Sequence, residues 1–264
     1  MMSSNISPKA KIAEDVVIGP NCYVEENVEI GSGTILEPNV VIYNYTKIGK
    51  NCHIFPGAVL GAIPQDKKYD GEITYLEIGD HTTIRECVTL NRGTAASGKK
   101  ITKIGDNCLF MSYVHVAHDC KIGDNVILTS YVGLAGETDV DDWAIIGGAS
   151  AVHQFSKIGA HCMISGGSMV SKDIPPYSLA GHRPSVYCGI NIVGLRRRNF
   201  SREQIDRIKS IYNILYYSGM NRSDACKVIE NEFEETQEKR VILDFIKNSK
   251  RGIIKCESSF TAEE

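Results

Sequence analysis

An aliphatic residue returns at every sixth position through most of this 264-residue chain. Neither an α-helix, with its 3.6-residue turn, nor an alternating strand has that period, so the repeat excludes most folds before any motif is considered. The series begins Ile12, Ile18, Val24, Ile30, Leu36, Ile42, Ile48, Ile54, Leu60 and resumes at Ile78, Ile84 and Leu90. After a two-residue offset it runs from Ile104 through Phe110, Val116, Ile122, Leu128, Leu134, Val140, Ile146, Val152, Ile158 and Ile164 to Val170. Four places after the aliphatic stands a small residue, as at Cys22, Val28, Thr34, Cys52, Ala58, Cys108, Cys120, Val126, Ala144 and Cys162. One large and one small inward position per hexad describe a narrow prism of short parallel strands, three hexads to an eighteen-residue coil: a parallel β-helix. Glycine often follows the aliphatic (Gly19, Gly31, Gly49, Gly79, Gly105, Gly123, Gly147, Gly159), where the backbone is expected to bend without a side chain.

Two stretches break the ladder, residues 61–77 and 95–102, both polar. The first, with Gln65-Asp-Lys-Lys-Tyr69 at its centre, is long enough to be read as functional. The repeat fades after Ile174-Pro-Pro176. A helix is expected over Phe200–Gly219, opened by a Ser201/Gln204 capping box, carrying the stripe Ile205, Ile208, Ile211 and Leu215, and closed by Gly219. Two more are expected over roughly Ser223–Phe233 and Thr236–Asn248. The chain thus divides into a β-helix over residues 1–190 and a helical domain over 191–264.

Composition matters mainly for what it removes. With 42% apolar residues the chain can build a substantial core, yet no stretch approaches the length of a membrane span and no export signal opens it, so a cytoplasmic protein is expected. A net charge of −3 argues against nucleic acid as a bulk partner. Nine cysteines without CxxC or zinc-type spacing indicate neither a disulfide framework nor a structural metal.

Chemistry concentrates in His115-Val-Ala-His-Asp-Cys120. His118 is the fourth residue of its hexad, at a corner where a side chain can point outward, which suits a general base better than a core histidine. Asp119 reads either as a hydrated turn residue or as the carboxylate that fixes the imidazole tautomer. Positions eighteen apart stack on one edge, so His118, Gly136 and Gln154 form a column, and the Gly136 N–H is available to an oxyanion. His115 lies near the same edge and His153 adjoins Gln154; each alone reads as a surface or turn residue. Cys120 belongs to the inward small row, and no serine pairs with histidine, so direct attack by a substrate hydroxyl is favoured over a covalent acyl-enzyme. Leu195-Arg-Arg-Arg198 offers guanidiniums that are ordinarily a solvated face but also suit phosphate or an acidic protein.

These motifs resemble one family, the UDP-N-acetylglucosamine O-acyltransferases that begin lipid A biosynthesis. The likeness is carried by the hexads, Pro64-Gln-Asp-Lys-Lys-Tyr69, Ile84-Arg-Glu86, Asn91-Arg-Gly-Thr94, His115-Val-Ala-His-Asp-Cys120, Leu134-Ala-Gly136, Ala144-Ile-Ile-Gly-Gly148, Val152-His-Gln-Phe155, Asp173-Ile-Pro-Pro-Tyr177 and Asn191-Ile-Val-Gly-Leu-Arg-Arg-Arg198. The resemblance covers essentially the whole chain. It implies an all-β left-handed parallel β-helix with a small C-terminal α-helical domain, assembled as a homotrimer with sites between subunits. It implies transfer of an (R)-3-hydroxyacyl chain from acyl carrier protein to the 3-hydroxyl of UDP-N-acetylglucosamine, with no metal and no cofactor beyond the carrier's phosphopantetheine. His118 would be the base, Asp119 its partner and Gly136 the oxyanion donor. Asp66, Lys68, His115, His153, Gln154, Asn191 and Arg197 would touch the sugar nucleotide or reacting groups, and Arg198 phosphate or carrier. Gly166 stands where a bulky residue shortens the acyl pocket, which implies a long chain. Glu137, Val193 and Asn91 depart from residues found in other members.

Two other classes compete. A hexapeptide-type carbonic anhydrase would need zinc-binding histidines, but His81, His115 and His118 do not follow coil spacing. A silent repeat scaffold predicts that His118→Ala changes nothing measurable.

Overall fold

The computed structural model describes residues 4–256. Parallel strands, most of them two residues long, stack into three faces of nine, eight and ten strands. Successive strands pass from the first face to the second to the third, so that partners lie eighteen residues apart, as in Asn5↔Tyr23, Lys11↔Glu29 and Val17↔Ile35. This is the expected left-handed parallel β-helix with a small helical domain. Both inward rows are buried: the aliphatics from Val24 to Val170, and the small row with Cys22, Cys52, Cys108, Cys120 and Cys162 among them. The prism therefore needs no interior wider than two side chains.

Most corners turn on one residue with left-handed backbone, three places after the aliphatic. Asn21, Asn27, Asn39, Asn51, Asn107 and Asn125 sit there with φ between 53° and 63°, and Asp119 with φ 60°. Asn and Asp tolerate this region better than other non-glycine residues. The glycines that follow the aliphatics do not bear the bend, contrary to the sequence expectation. They make room for the next coil: a β-carbon on Gly105 would lie 2.2 Å from Asp124 Oδ1, and on Gly123 2.1 Å from Asp142 Oδ1. Those carboxylates accept backbone N–H groups one coil below, Asp106 N to Asp124 at 2.8 Å and Asp124 N to Asp142 at 2.9 Å.

The two interruptions are insertions at a single corner. Strands extend further into them than the sequence suggests, because Tyr75–Ile78 pairs along its length with Ile101–Ile104. The inserted loops are therefore 63–74 and 92–100, shorter at the edges than the expected 61–77 and 95–102. Ladder partners across them are displaced accordingly, Val59↔Thr89 and Thr89↔His115, while the faces stay continuous.

An antiparallel pair, Ser178–Gly181 with Val186–Ile190, closes the last coil. Helices α1 (Ile192–Arg197), α2 (Arg202–Tyr217), α3 (Arg222–Glu232) and α4 (Gln237–Lys247) follow. The Ser201/Gln204 capping box opens α2, with Ile205, Ile208 and Ile211 buried. Helix α1 was not foreseen in the sequence: six residues with an Asn191 cap are too few to show a period. Stacked rings of Tyr187, Tyr212 and Tyr216 join the closing strands to α2. The chain then returns to the prism, where Ile253 bridges Asp173 and Cys256 bridges Tyr187.

Candidate active site

His118 lies in the turn between His115–Val116 on the first face and Lys121–Ile122 on the second. Loops 63–74 and 92–100 leave the same corner in the two coils preceding it. They fold over the histidine, so it is 7% exposed rather than pointing freely to solvent as its hexad position suggested. Asp119, next to it, is fully buried, which removes the hydrated-turn reading.

The Asp119 carboxylate collects donors. His118 Nδ1 lies 2.8 Å from Oδ2, Thr94 Oγ1 donates to Oδ2 at 2.7 Å, and Thr94 N and Ser97 Oγ donate to Oδ1 at 2.9 and 2.7 Å. Its own N–H donates to Thr102 Oγ1 at 2.8 Å. Burial alone would raise the Asp119 pKa, but the bonds from His118, Thr94 and Ser97 outweigh it and hold the carboxyl below its usual range. An ionised Asp119 accepts the Nδ1 proton, which leaves Nε2 as the basic nitrogen. The bond to Asp119, opposed by burial and assisted by the charges of Asp119, Asp66 and Glu137, raises the His118 pKa above 6.5.

The basic edge of the ring faces the column one coil on. A β-carbon on Gly136 would stand 2.5 Å from both Cε1 and Nε2, so only glycine admits the imidazole here. Among the described residues nothing accepts the Gly136 N–H, while its carbonyl accepts Phe155 N at 3.2 Å. Asp66 Oδ2 lies 3.6 Å from Nε2. Its Oδ1 accepts Lys68 N at 3.0 Å, which folds the tip of the first loop around the carboxylate and leaves Lys68 exposed. His115, on the first face, bonds Thr89 Oγ1 through Nδ1 at 2.7 Å, and burial pulls its pKa down. Exposed His153 and half-buried Gln154 stand one coil beyond Gly136, with His153 Nδ1 2.9 Å from the Gln154 carbonyl.

The two loops are also fastened to each other. Glu72 Oε1 accepts Ala95 N at 2.8 Å. Buried Arg92 reaches the Asn44 carbonyl at 3.1 Å, the Asn44 side-chain oxygen, and Tyr69 Oη at 3.0 Å. Thr94, Ser97, Thr102, Glu72 and Arg92 received no role from the sequence. The spacing from Leu90 to Ile104 was the available signal, since it places the second insertion at the corner of His118.

The remaining expected residues lie elsewhere on a single chain. Gly166 occupies the corner between the third and first faces. Asn191 spends its amide internally, Nδ2 donating to the His161 carbonyl at 2.9 Å and Oδ1 accepting Gly194 N at 3.1 Å, so it positions α1. Arg197 is exposed on α1. Arg198 packs at the corner between the second and third faces, its guanidinium 5.2 Å from the Trp143 ring centre and 3.4 Å from His161 Nδ1. Burial and Arg198 lower the His161 pKa to about 4. His81 shares this corner, so His81, His115 and His118 do not converge within one chain. Cys120 is buried and its thiol is pushed up to about 12, which fits packing and not nucleophilic chemistry.

Known proteins share this sequence and fold over most of the chain. Residues 9–44 and 101–136 match the bacterial transferase hexapeptide model, and residues 173–254 match domain 2 of UDP-N-acetylglucosamine O-acyltransferase. The acyl-[acyl-carrier-protein]–UDP-N-acetylglucosamine O-acyltransferase of Thiobacillus denitrificans is 44% identical over 250 residues, 95% of this chain and 96% of that protein. The crystal structure of the UDP-N-acetylglucosamine acyltransferase of Bacteroides fragilis superposes with a TM-score of 0.94 at 50% identity, covering 97% of this chain and all of the other. The enzyme of Acinetobacter baumannii gives a TM-score of 0.93 at 41% identity over 97% of this chain and 99% of that one. No helix among the described residues is long and apolar enough to cross a membrane. The chain is an acyltransferase and belongs to the acyl-[acyl-carrier-protein]–UDP-N-acetylglucosamine O-acyltransferase family.

Proposed function

We propose that this protein transfers an (R)-3-hydroxyacyl chain from acyl carrier protein to the 3-hydroxyl of UDP-N-acetylglucosamine, the first step of lipid A biosynthesis, in the cytoplasm. The observation that carries the mechanism is the His118 ring held between Asp119 and Gly136. Nε2 takes the proton of the sugar hydroxyl as its oxygen attacks the thioester carbonyl. The tetrahedral oxyanion is met by the Gly136 N–H, a fixed donor worth about 3 kcal/mol in comparable sites. The imidazolium then protonates the departing thiolate of the carrier's phosphopantetheine, and no covalent acyl-enzyme or further cofactor is needed. Asp66, beside Nε2, is suited to orient the sugar, with Lys68, His115, His153 and Gln154 around the same corner. Arg197 offers phosphate or the acidic carrier a free guanidinium.

Assembly as a homotrimer has support in the outward residues of the third face. Leu109, Ile127, Ile145, Met163 and Leu179 follow one another in register and remain half-buried in the single chain. The second face carries Lys103, Lys121, Asp139 and Lys157 at the corresponding positions. A continuous apolar strip beside a charged one marks a surface that copies of the chain can share. A neighbouring subunit can then bring its Gly166, Asn191 and Arg198 corners toward His118, which one chain alone does not.

The test is ester formation with UDP-N-acetylglucosamine and a panel of hydroxyacyl carrier proteins, with His118→Ala as control. The wild type is expected to prefer donors longer than ten carbons, given Gly166, and His118→Ala to lose nearly all activity while remaining folded. Absence of ester with every donor refutes the reaction, and an active His118→Ala refutes the mechanism.

A further inference from the structure

Loop 92–100 grips Asp119 more completely than anchoring a loop requires. Two hydroxyls and one backbone N–H from Thr94 and Ser97 occupy both carboxylate oxygens, and Thr94 Oγ1 shares Oδ2 with His118 Nδ1. Thr94 is itself 1% exposed, so water cannot substitute for its hydroxyl. The same loop sends Lys99 Nζ to the Asp119 carbonyl at 3.2 Å and to Asp139 Oδ1 at 3.2 Å. A carboxylate with this many fixed donors has one orientation, and its remaining direction leads to the imidazole.

We propose that Thr94 and Ser97 are positioning residues for the acyl transfer, a clamp supplied by the second inserted loop that fixes the Asp119 carboxylate and through it the ring of His118. The inference rests on the reading of His118 as general base. Charged groups facing the pair are Asp66 and Glu137 toward His118, and Lys99 and Glu72 toward Asp119. None of them changes in the variants below.

Thr94→Val keeps the backbone N–H and the volume and removes only the hydroxyl on Oδ2. The carboxylate charge, less neutralised by donors, then binds the imidazolium more strongly, so the acid limb of kcat/KM moves to higher pH. The ring also loses its fixed direction, and kcat falls on the order of tenfold, the loss expected for one hydrogen bond to a charged group. KM for both substrates stays unchanged. Thr94→Ser restores both kcat and the limb. Ser97→Ala, which removes one of the two donors on Oδ1, moves both in the same direction by less and serves if Thr94→Val does not fold.

Wild-type kcat and an unmoved limb in folded Thr94→Val overturn the proposal. So does a loss that Thr94→Ser fails to rescue, or one confined to KM. His118→Ala separates the two levels: if it is active the general-base reading falls, whereas if it is inactive and Thr94→Val behaves as wild type only the clamp falls.

Discussion

Gly136→Ala probes the spacing between the proposed base and the proposed oxyanion donor with a single methyl group. Built on the existing backbone, that methyl lies 2.5 Å from His118 Cε1 and Nε2 and 3.2 Å from Cδ2. Carbon contacts settle near 3.5–4.0 Å, so the ring must retreat by roughly 1 Å. Retreat is opposed on the far side, where Nδ1 is held 2.8 Å from Asp119. The backbone is no obstacle, because the left-handed residue of this corner is Glu137, φ 58°, and not Gly136. The methyl points away from the prism core, so melting is expected to change little. A displacement of this size in a reacting group costs on the order of a hundredfold in rate. Initial rates with saturating substrates should show that loss in kcat, while the Gly136 N–H is still present. A folded Gly136→Ala enzyme with wild-type kcat would refute the contact between Gly136 and the reacting edge of His118.

Other consequences can be checked separately. Only neutral His118 can accept the hydroxyl proton and its pKa is raised, so kcat/KM should climb through a limb above pH 6.5; Asp119→Asn should move that limb down strongly and Asp66→Asn by less, following the order of their influence. The same pair stabilises the fold fully below about pH 6.5 and loses its contribution as pH rises through the raised value, which urea titrations at several pH values would detect as a difference from Asp119→Asn. Ser201→Ala removes the hydroxyl that accepts Gln204 N in the capping box of α2 and leaves the backbone half, and should cost about 1 kcal/mol, read as a lower urea midpoint with unchanged kcat. Ile127→Lys places a charge in the middle of the apolar strip of the third face and should dissociate the proposed trimer in sedimentation experiments; an unchanged sedimentation coefficient would remove that strip from the proposed interface.

The prism was legible because every hexad obeys the same rule, and twenty or more repetitions make an inward aliphatic unmistakable. The outward residues carry information too, but only when sorted by face. Ile127, Ile145 and Met163 precede inward aliphatics just as Lys121, Asp139 and Lys157 do, and their contrast emerges once strands are assigned to the third and second faces. The His118–Gly136 column followed from coil arithmetic. The donors on Asp119 did not, because Thr94 and Ser97 lie in an insertion whose path no period describes. Arg198 illustrates the opposite limit: a basic run suggests phosphate, yet its guanidinium packs over Trp143 beside a neutral His161, a pairing visible only after α1 is placed.

A regular β-helix is a poor host for catalysis, since its corners are exposed and each coil repeats the last. Here the repeat is broken at one corner in two successive coils, immediately before the coil that carries His118. Because strands on either side stay in register, the extra residues cannot enter the prism and must lie against the next coils along that corner. Burial of Asp119 follows from this placement, and so does the depressed pKa that lets it hold a proton on Nδ1. The ordinary repeat supplies the other requirement, a glycine amide one coil away at a fixed height. Exchanging loop 92–100 for a standard corner would preserve the fold while exposing Asp119 to water, so the insertion, rather than the histidine alone, distinguishes this coil from those around it.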